Sequence, residues 1–303
     1  MQSIYAMHQN GSDQLEKEEK FLLFSIESIQ DLYLIMMSSL LEICKKEVVF
    51  LEKSKEKHLV TKDERNPNPK FVNNAIFKML AQNNSLSIAL EVRKINNWSL
   101  NDDYILLLLK VIKESDLYQN YMTNRTNTFA EDQQFIIALF MEVIAPNEKL
   151  YDYLEDHKLT WIDDIPLVNT QIIKQLRALT SENDDTYRVP KLYKDTEDKE
   201  FVTNLFRKTV LNEMELAKEY INKTPNWDTE RIAEVDTIIL KMAICEFLKF
   251  PSIPVKVTIN EYLEVAKEYS TPKSSIFING ILDNLVKEFQ AENKLLKTGR
   301  GLM

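Results

Sequence analysis

Apolar residues recur at helical spacing along most of the chain. Seven of them between positions 19 and 58 follow one another at steps of three and four: Leu22, Ile26, Ile29, Tyr33, Met36, Leu40 and Ile43. This period predicts one long helix or a helical hairpin. The segment "TKDERNPNPK" (61–70) then breaks the pattern with two prolines and several polar residues, so we interpret it as a linker.

Three tryptophans close three similar stretches of sequence. The stretches are "FVNNAIFKML…NNW" (71–98), "FIIALFMEVI…LTW" (135–161) and "FVTNLFRKTV…PNW" (201–227), and each phenylalanine precedes its tryptophan by 26 or 27 residues. We predict a duplicated helical hairpin in which each tryptophan is buried at a helix junction. In that case Phe71, Phe135 and Phe201 should occupy equivalent places. The alternative is chance recurrence of a helix–loop–Trp pattern.

The C-terminal third has a different pattern. The segment "TIILKMAICEFLKF" (237–250) is apolar nearly all round, which is typical of a buried central helix. The next segment, "IPVKVTINE" (253–261), is rich in β-branched residues and resembles a strand. However, Val255, Ile259 and Leu263 lie four residues apart, so we predict a helix with Ser252 as its cap and Pro254 in its first turn.

A last helix is predicted at 274–289, after the loop "STPK" (270–273). Gly280 lies inside this helix, where glycine costs about 1 kcal/mol relative to alanine. Since the chain has only 4 glycines, we expect another backbone or a ligand to approach closely at this position. The polar tail at 290–303 is expected to fray.

Composition argues against several enzyme classes. The 303 residues contain neither a G-x-G-x-x-G nor a G-x-x-x-x-G-K-[ST] motif, so a Rossmann or P-loop enzyme is not expected. Cys44 and Cys245 lack metal-ligand spacing and are expected to be buried free thiols. His8, His58 and His157 are scattered, and we expect them to be solvated. We therefore expect no metal site, no cofactor and no catalytic activity.

Charge and hydropathy bear on location and partners. The net charge of −9 gives no general attraction to phosphate and suits a basic protein partner. No apolar run reaches the roughly 18–20 residues of a membrane span, and no signal peptide is visible. We therefore expect a cytoplasmic protein that does not enter a membrane.

Three segments of the C-terminal part resemble the NusB family of bacterial transcription antitermination factors. They are "NWDTERIAEVDTIILKMAICEFL", "IPVKVTINEYLEVAKEY" and "SSIFINGILD", in this order and spacing within 201–289. The start, "MQSIYAMHQ", resembles the end of the first NusB helix, and 11–194 resembles the long insertion of Bacteroidetes-type members. The expected organisation is the end of the first helix at 1–10, a long helix or hairpin at 11–66, a helical insertion with two Phe…Trp stretches at 67–194, a core domain at 195–289 and the tail at 290–303.

The resemblance implies an all-α protein, with a NusB-like helical bundle in the C-terminal part and a large helical insertion. It also implies a non-catalytic function. Such proteins bind the boxA element of nascent ribosomal RNA together with NusE, a small-subunit ribosomal protein. They belong to the antitermination complex of RNA polymerase and promote transcription of ribosomal RNA.

The resemblance further implies an RNA-binding surface. Gln2 and Tyr5 match "Q-x-[LI]-Y" of the first helix, while Phe277, Asn279 and Gly280 match "F-x-N-G-x-L-D" of the last. Aromatic rings stack on unpaired bases and amides read base edges. The alternatives are that Tyr5 and Phe277 are core residues and that Asn279 bonds locally.

Three further positions are assigned by the same resemblance. Lys256 matches the lysine of the "P-x-K-V" turn and is a candidate RNA contact, or else a solvated lysine of a first helical turn. Glu230 and Asp236 match acidic positions at the edge that RNA and NusE share.

The start of the chain departs from the family pattern. An arginine-rich segment precedes the first helix in the family, whereas here the chain begins at Met1 inside that helix and the first arginine is Arg65. We expect a late start or a truncation. The remaining alternative for function is a helical protein-interaction scaffold with little RNA affinity.

Overall fold

The computed structural model describes residues 1–55, 67–180, 187–221 and 232–298. Within these ranges the regular structure is helical and no strand occurs, which confirms the predicted all-α class. Among the same residues, no helix combines the length and the apolar character needed to cross a membrane.

The α-helices are numbered here in chain order. They are α1 (Gln2–Gln9), α2 (Leu15–Lys55), α3 (Ala75–Gln82), α4 (Asn84–Val92), α5 (Asn97–Leu100), α6 (Asp102–Glu114), α7 (Asp116–Thr123), α8 (Phe129–Leu139), α9 (Glu148–His157), α10 (Ile165–Ala178), α11 (Thr196–Leu211), α12 (Glu213–Ile221), α13 (Glu234–Lys249), α14 (Val255–Tyr269) and α15 (Pro272–Ala291). A π-helical turn (Phe140–Ile144) continues α8, and a 3₁₀ turn (Leu159–Asp164) follows α9. Residues 15–55 form one helix, so the described part of the segment at 19–58 is a single helix and not a hairpin. Residues 56–58 lie outside the described residues.

Short polar side chains mark many helix starts. A side-chain oxygen that accepts a backbone N–H in the first turn satisfies a donor that has no partner inside the helix. The residues that cap in this way are Asn74, Asn83, Ser115, Thr128, Asn147, Asp195 and Thr271. Helix α14 is different, because Pro254 is its N-cap residue and makes no side-chain bond. The stretch at 255–261 is helical as predicted, but Ser252 does not cap it.

The chain divides into two compact units. One combines Met1–Phe24 with Tyr193–Met303, and the other is Ser25–Leu192. We call them the core unit and the insertion unit. The first ten residues of α2 belong to the core unit, and the rest of α2 belongs to the insertion unit.

The insertion unit is built around its part of α2, whose residues Leu32–Met37 are buried without exception. Two tryptophan indoles bond to this helix. Trp161 Nε1 donates to the carbonyl oxygen of Ser28 at 2.9 Å, and Trp98 Nε1 donates to that of Ile35 at 3.0 Å. Both side chains are almost fully buried. The two acceptors lie seven residues, or about two helical turns, apart, so the indoles contact the same face of α2.

The predicted repeat is met only in part. Trp98 and Trp161 are buried at helix junctions, and Phe71 packs edge-on against Phe135 with 6.0 Å between ring centroids. However, Phe71 precedes α3, whereas Phe135 lies inside α8 and Phe201 inside α11. The phenylalanines therefore do not occupy equivalent places. Trp227 lies outside the described residues.

The indole bonds to α2 lead to a stability prediction. Trp161→Phe should lower the free energy of unfolding of the insertion unit by about 2–3 kcal/mol. The loss combines a cavity at the indole position with a hydrogen bond worth about 1 kcal/mol. Urea denaturation followed by circular dichroism measures the change. Leu159→Ala is the control, because Leu159 is 70% exposed two residues away and its loss should cost less than about 0.5 kcal/mol. Equal effects of the two substitutions would contradict the role of the indole.

The core unit is organised around α13. Nine of its sixteen residues are buried, which confirms the predicted central helix. Helices α1, α11, α12, α14 and α15 all pack against it. Cys245 is fully buried in this core and Cys44 is partly buried in the insertion unit; both are free thiols, as expected. Burial raises the pKa of both thiols, that of Cys44 to about 11.

Two buried carboxylates tie α13 to its neighbours. Near the end of α13, Glu246 accepts hydrogen bonds from Thr258 Oγ1 at 2.6 Å and Tyr262 OH at 3.1 Å, both on α14. Near its start, Asp236 accepts one from Ser270 Oγ at 2.6 Å, just after α14 ends. Helices α13 and α14 therefore run antiparallel, with one carboxylate at each end of the pair.

The tail is anchored rather than frayed over its described part. Lys297 Nζ donates to the carbonyl oxygens of Glu246 and Phe250 at 3.0 and 2.9 Å, and the Thr298 amide donates to that of Pro251. Phe250 and Pro251 follow the end of α13, where carbonyl groups lack helical partners. Lys297 donates to two of these carbonyl groups, and the two hydrogen bonds hold the polar segment in place.

The position of Glu246 leads to a prediction about how the stability of the core unit depends on pH. Burial raises the pKa of its carboxyl group above the usual glutamate value, although the bonds from Thr258 and Tyr262 act in the opposite direction. The folded state then binds the proton more tightly than the unfolded state. The contribution of this group to stability is present below the ordinary glutamate pKa of about 4.3 and is lost as pH rises through the higher folded value.

Glu246→Gln should remove this loss of stability at high pH, because glutamine does not ionise. We expect the variant to unfold at higher denaturant concentration than the parent at pH 8, with the difference shrinking towards pH 4. Glu268→Gln, on an exposed position of α14, is the control and should show no such trend. A Glu246→Gln variant that is less stable than the parent at pH 8 would contradict the prediction.

Candidate nucleic-acid interface

Helix α1 has one buried and one exposed face. Ile4 and Met7 are buried in a cluster with Phe206 of α11 and Ile238 of α13. Gln2 and Tyr5 lie on the opposite face and are exposed, Tyr5 by 37%. Of the two alternatives for Tyr5, the structure therefore places it at the surface.

Side-chain contacts join the end of α1 to the starts of α12 and α13. The His8 ring faces two carboxylates: Nε2 lies 2.8 Å from Glu213 Oε1, and Nδ1 lies 3.0 Å from Glu234 Oε1. Gln9 Nε2 donates to the other oxygen of Glu234 at 2.6 Å. The expectation that His8 is solvated is wrong, since its side chain is only 24% exposed. The partners are more than 200 residues away in sequence, so no local spacing could reveal them.

A chain of hydroxyl groups leads from Asp236 to the start of α15. Ser270 Oγ, which donates to Asp236, also lies 3.0 Å from Ser274 Oγ, and Ser274 is 2.9 Å from Thr271 Oγ1. Thr271 caps α15 by accepting the Ser274 amide. The start of α15 is thereby held beside the start of α13. Asp236 itself is only 5% exposed.

The predicted residues of α15 lie on or near its surface. Phe277 is half-buried and packs on the core of the unit, Asn279 is half-buried and Gly280 is exposed. A Cβ atom at Gly280 would meet nothing within 4 Å. The expectation of close packing at this glycine within the described residues is therefore wrong. Ile276, which sequence reasoning missed, is 75% exposed one turn before Gly280.

Not all predicted residues come together. Gln2 and Tyr5 on α1 and Phe277, Asn279 and Gly280 on α15 belong to helices that both pack on α13. Lys256 is exposed in the first turn of α14, near the opposite end of α13. At 1.5 Å per residue, it lies about 20 Å along α14 from the turn that leads into α15. Glu230 lies outside the described residues.

Comparisons with known proteins agree with the resemblance. The family model described as "NusB family" matches residues 167–287. A transcription antitermination protein NusB from Salinibacter ruber is 41% identical over 141 residues, which cover 44% of this chain and 87% of the relative. The chain belongs to the NusB family. Membership is consistent with the expectation that the chain is not an enzyme.

Two further relatives carry the same name. The NusB protein of Chloroherpeton thalassium is 38% identical over 109 residues, which cover 36% of this chain and 52% of the relative. That of Koribacter versatilis is 41% identical over 103 residues, covering 33% and 70%. A comparison with solved structures gave no match.

The space around Gly280 leads to a prediction. Gly280→Ala should raise the free energy of unfolding of the core unit by about 1 kcal/mol, because alanine is the better helix former and its methyl group meets no neighbour. Differential scanning calorimetry would show a higher Tm. A lower Tm would mean that the position is packed after all.

Proposed function

We propose that the protein is a transcription antitermination factor that binds a boxA-type leader of ribosomal RNA together with NusE. In this role it joins the antitermination complex of RNA polymerase in the cytoplasm and promotes processive transcription of ribosomal RNA. The observation that carries the proposal is NusB family membership. The structure adds an argument about which surface does the binding.

The RNA surface that we propose comprises the exposed face of α1 and the first three turns of α15. Tyr5 presents an aromatic ring at the surface, and Phe277 is half-buried. Gln2 and Asn279 supply amide groups of the kind that read base edges. Gly280 and the exposed Ile276 lie one turn apart and leave apolar surface that a base can contact. Lys256 lies in the first turn of α14, away from α15, and we assign it to a phosphate further along the RNA strand.

The contribution of Asp236 to the NusE edge is indirect in this proposal. Its carboxylate is buried and accepts the Ser270 hydroxyl, so it positions the turn between α14 and α15. A partner that touches this turn would sense the loss of Asp236 without contacting it. Glu230 is the candidate for a direct contact with NusE.

The second candidate function is a protein-interaction scaffold with little RNA affinity. The net charge of −9 favours it, because phosphate contacts supply most of the affinity in many RNA complexes. The two functions differ in one observable, the preference for boxA over a scrambled sequence.

A titration with labelled RNA tests the proposal. We expect the chain to bind boxA RNA more tightly than scrambled RNA by fluorescence anisotropy, and NusE to strengthen the binding. Phe277→Ala should weaken binding by about 5- to 150-fold, the equivalent of one stacked base at about 1–3 kcal/mol. The slope of log affinity against log salt should stay the same, because lost stacking releases no counterions.

One control variant and one further test variant complete the experiment. Leu296→Ala removes a side chain that is 74% exposed after α15 and should leave RNA affinity unchanged. Gly280→Leu should lower RNA affinity without destabilising the fold, since the side chain projects into open space. If the chain with NusE shows no preference for boxA, the scaffold function replaces the antitermination function.

A further inference from the structure

The insertion unit contains a small pocket that the buried Trp161 helps to line. It lies between α2, the turn after α4, and the end of α9, with a volume of 280 Å³. Buried Ile35 and Trp161 form part of its wall, and Asn96, Asn97 and Asn101 are at its rim. Small-molecule sites span about 300–1,000 Å³. At 280 Å³ the pocket is just below this range, so it suits one small ligand or one inserted group rather than a polypeptide segment.

The charge of this pocket is opposite to that of the chain. Arg93, Lys94 and Lys158 line it, together with one acidic residue, Asp31. Arg93 Nη1 lies 2.6 Å from Asp31 Oδ1, a bond that uses one of the five N–H donors of a guanidinium group. The formal charges of these four lining residues sum to +2, without His157, in a chain of net charge −9. An anion fits this lining.

Lys94 adopts a backbone conformation that normally belongs to glycine. Its φ is +55°, and only Asn293 shares a positive φ among the other non-glycine residues that the structure describes. The Lys94 amide donates to the Glu91 carbonyl at 3.0 Å and that of Ile95 to Leu90 at 2.9 Å, which is the pattern of a glycine-terminated helix end. A lysine at this position places a cation at the pocket despite the strain.

Aromatic and amide groups complete the lining. The exposed imidazole ring of His157 lies nearly parallel to Trp161 at 5.3 Å and to Tyr153 at 5.7 Å, and Lys158 Nζ is 5.3 Å from the Trp161 ring centroid. Asn97 Nδ2 donates to Tyr153 OH at 2.9 Å, which fixes the amide at the rim. Asn96 is exposed and makes no capping bond to α5. Because these rings pack on one another, the amides and the imidazole nitrogens are the groups that can hydrogen-bond a nucleobase.

We propose that this pocket binds one ribonucleotide, with its phosphate on Arg93, Lys94 and Lys158 and its base towards His157 and the asparagine amides. The nucleotide is either free or part of an RNA strand. This site is separate from the surface on α1 and α15 and does not depend on the proposed function of that surface.

Isothermal titration calorimetry with the full chain tests the site. The probes are AMP, adenosine, inorganic phosphate and a single-stranded hexaribonucleotide that lacks boxA. We expect AMP to bind at least tenfold more tightly than adenosine or phosphate, since only AMP engages both parts of the pocket. Lys94→Gly should weaken AMP binding at least tenfold. This variant keeps the left-handed backbone that glycine favours, so loss of folding cannot account for the result.

Two further lysine variants, one inside the pocket and one outside it, test whether the effect on AMP binding is specific to the pocket. Lys158→Gln should also weaken AMP binding at least tenfold, while Lys110→Gln removes an exposed lysine of α6 outside the pocket and should have no effect. Phe277→Ala should leave AMP binding unchanged, which separates this site from the proposed boxA surface. Hexaribonucleotide that displaces AMP and loses affinity in Lys94→Gly identifies RNA as the source, and AMP binding alone identifies a free nucleotide. Absence of AMP binding, or AMP affinity equal to that of phosphate or insensitive to Lys94→Gly, would overturn the proposal.

Discussion

The core unit depends on how its central helix, α13, satisfies two buried carboxylates. Asp236 and Glu246 lie ten residues apart on α13, about 15 Å along its axis, and both are only 5% exposed. A carboxylate in such a place is costly unless it accepts hydrogen bonds. The partners all come from α14 and the residue after it, so the pair of carboxylates sets the direction and register of α14. The position of the start of α15 follows.

Much of this arrangement could be predicted from the sequence. The apolar surface of 237–250 indicates a central helix. The helical spacing of Val255, Ile259 and Leu263 outweighs the many β-branched residues of 253–261, because burial on the α13 side favours the helical period. What the sequence cannot show is which groups contact each buried polar side chain. The carboxylate partners of His8 are distant in sequence, and the open space beside Gly280 depends on what packs nearby. A glycine in a helix has the same local signature whether its surroundings are filled or empty.

In the insertion unit, too, the sequence does not reveal the hydrogen-bond partners of buried side chains. The spacing of its tryptophans is visible in the sequence, and burial of Trp98 and Trp161 follows from their size. Their acceptors, the carbonyl oxygens of Ser28 and Ile35, carry no side-chain signal, because every residue has such a group. A carbonyl oxygen has two lone pairs, so one inside a helix can take a second donor. The two indoles thereby relate the two Phe…Trp stretches through α2, although the phenylalanines are not equivalent.

The two candidate binding surfaces differ in the physics that they offer. The face on α1 and α15 consists of rings, amides and an uncovered glycine, so its affinity for RNA would come chiefly from stacking and base contacts. The pocket in the insertion unit concentrates cations, so its affinity would come chiefly from phosphate. Salt acts on these contributions unequally, because it competes with phosphate contacts and hardly with stacking. Under the two proposals, this acidic chain commits few cations, and it places them where a single phosphate can be held closely.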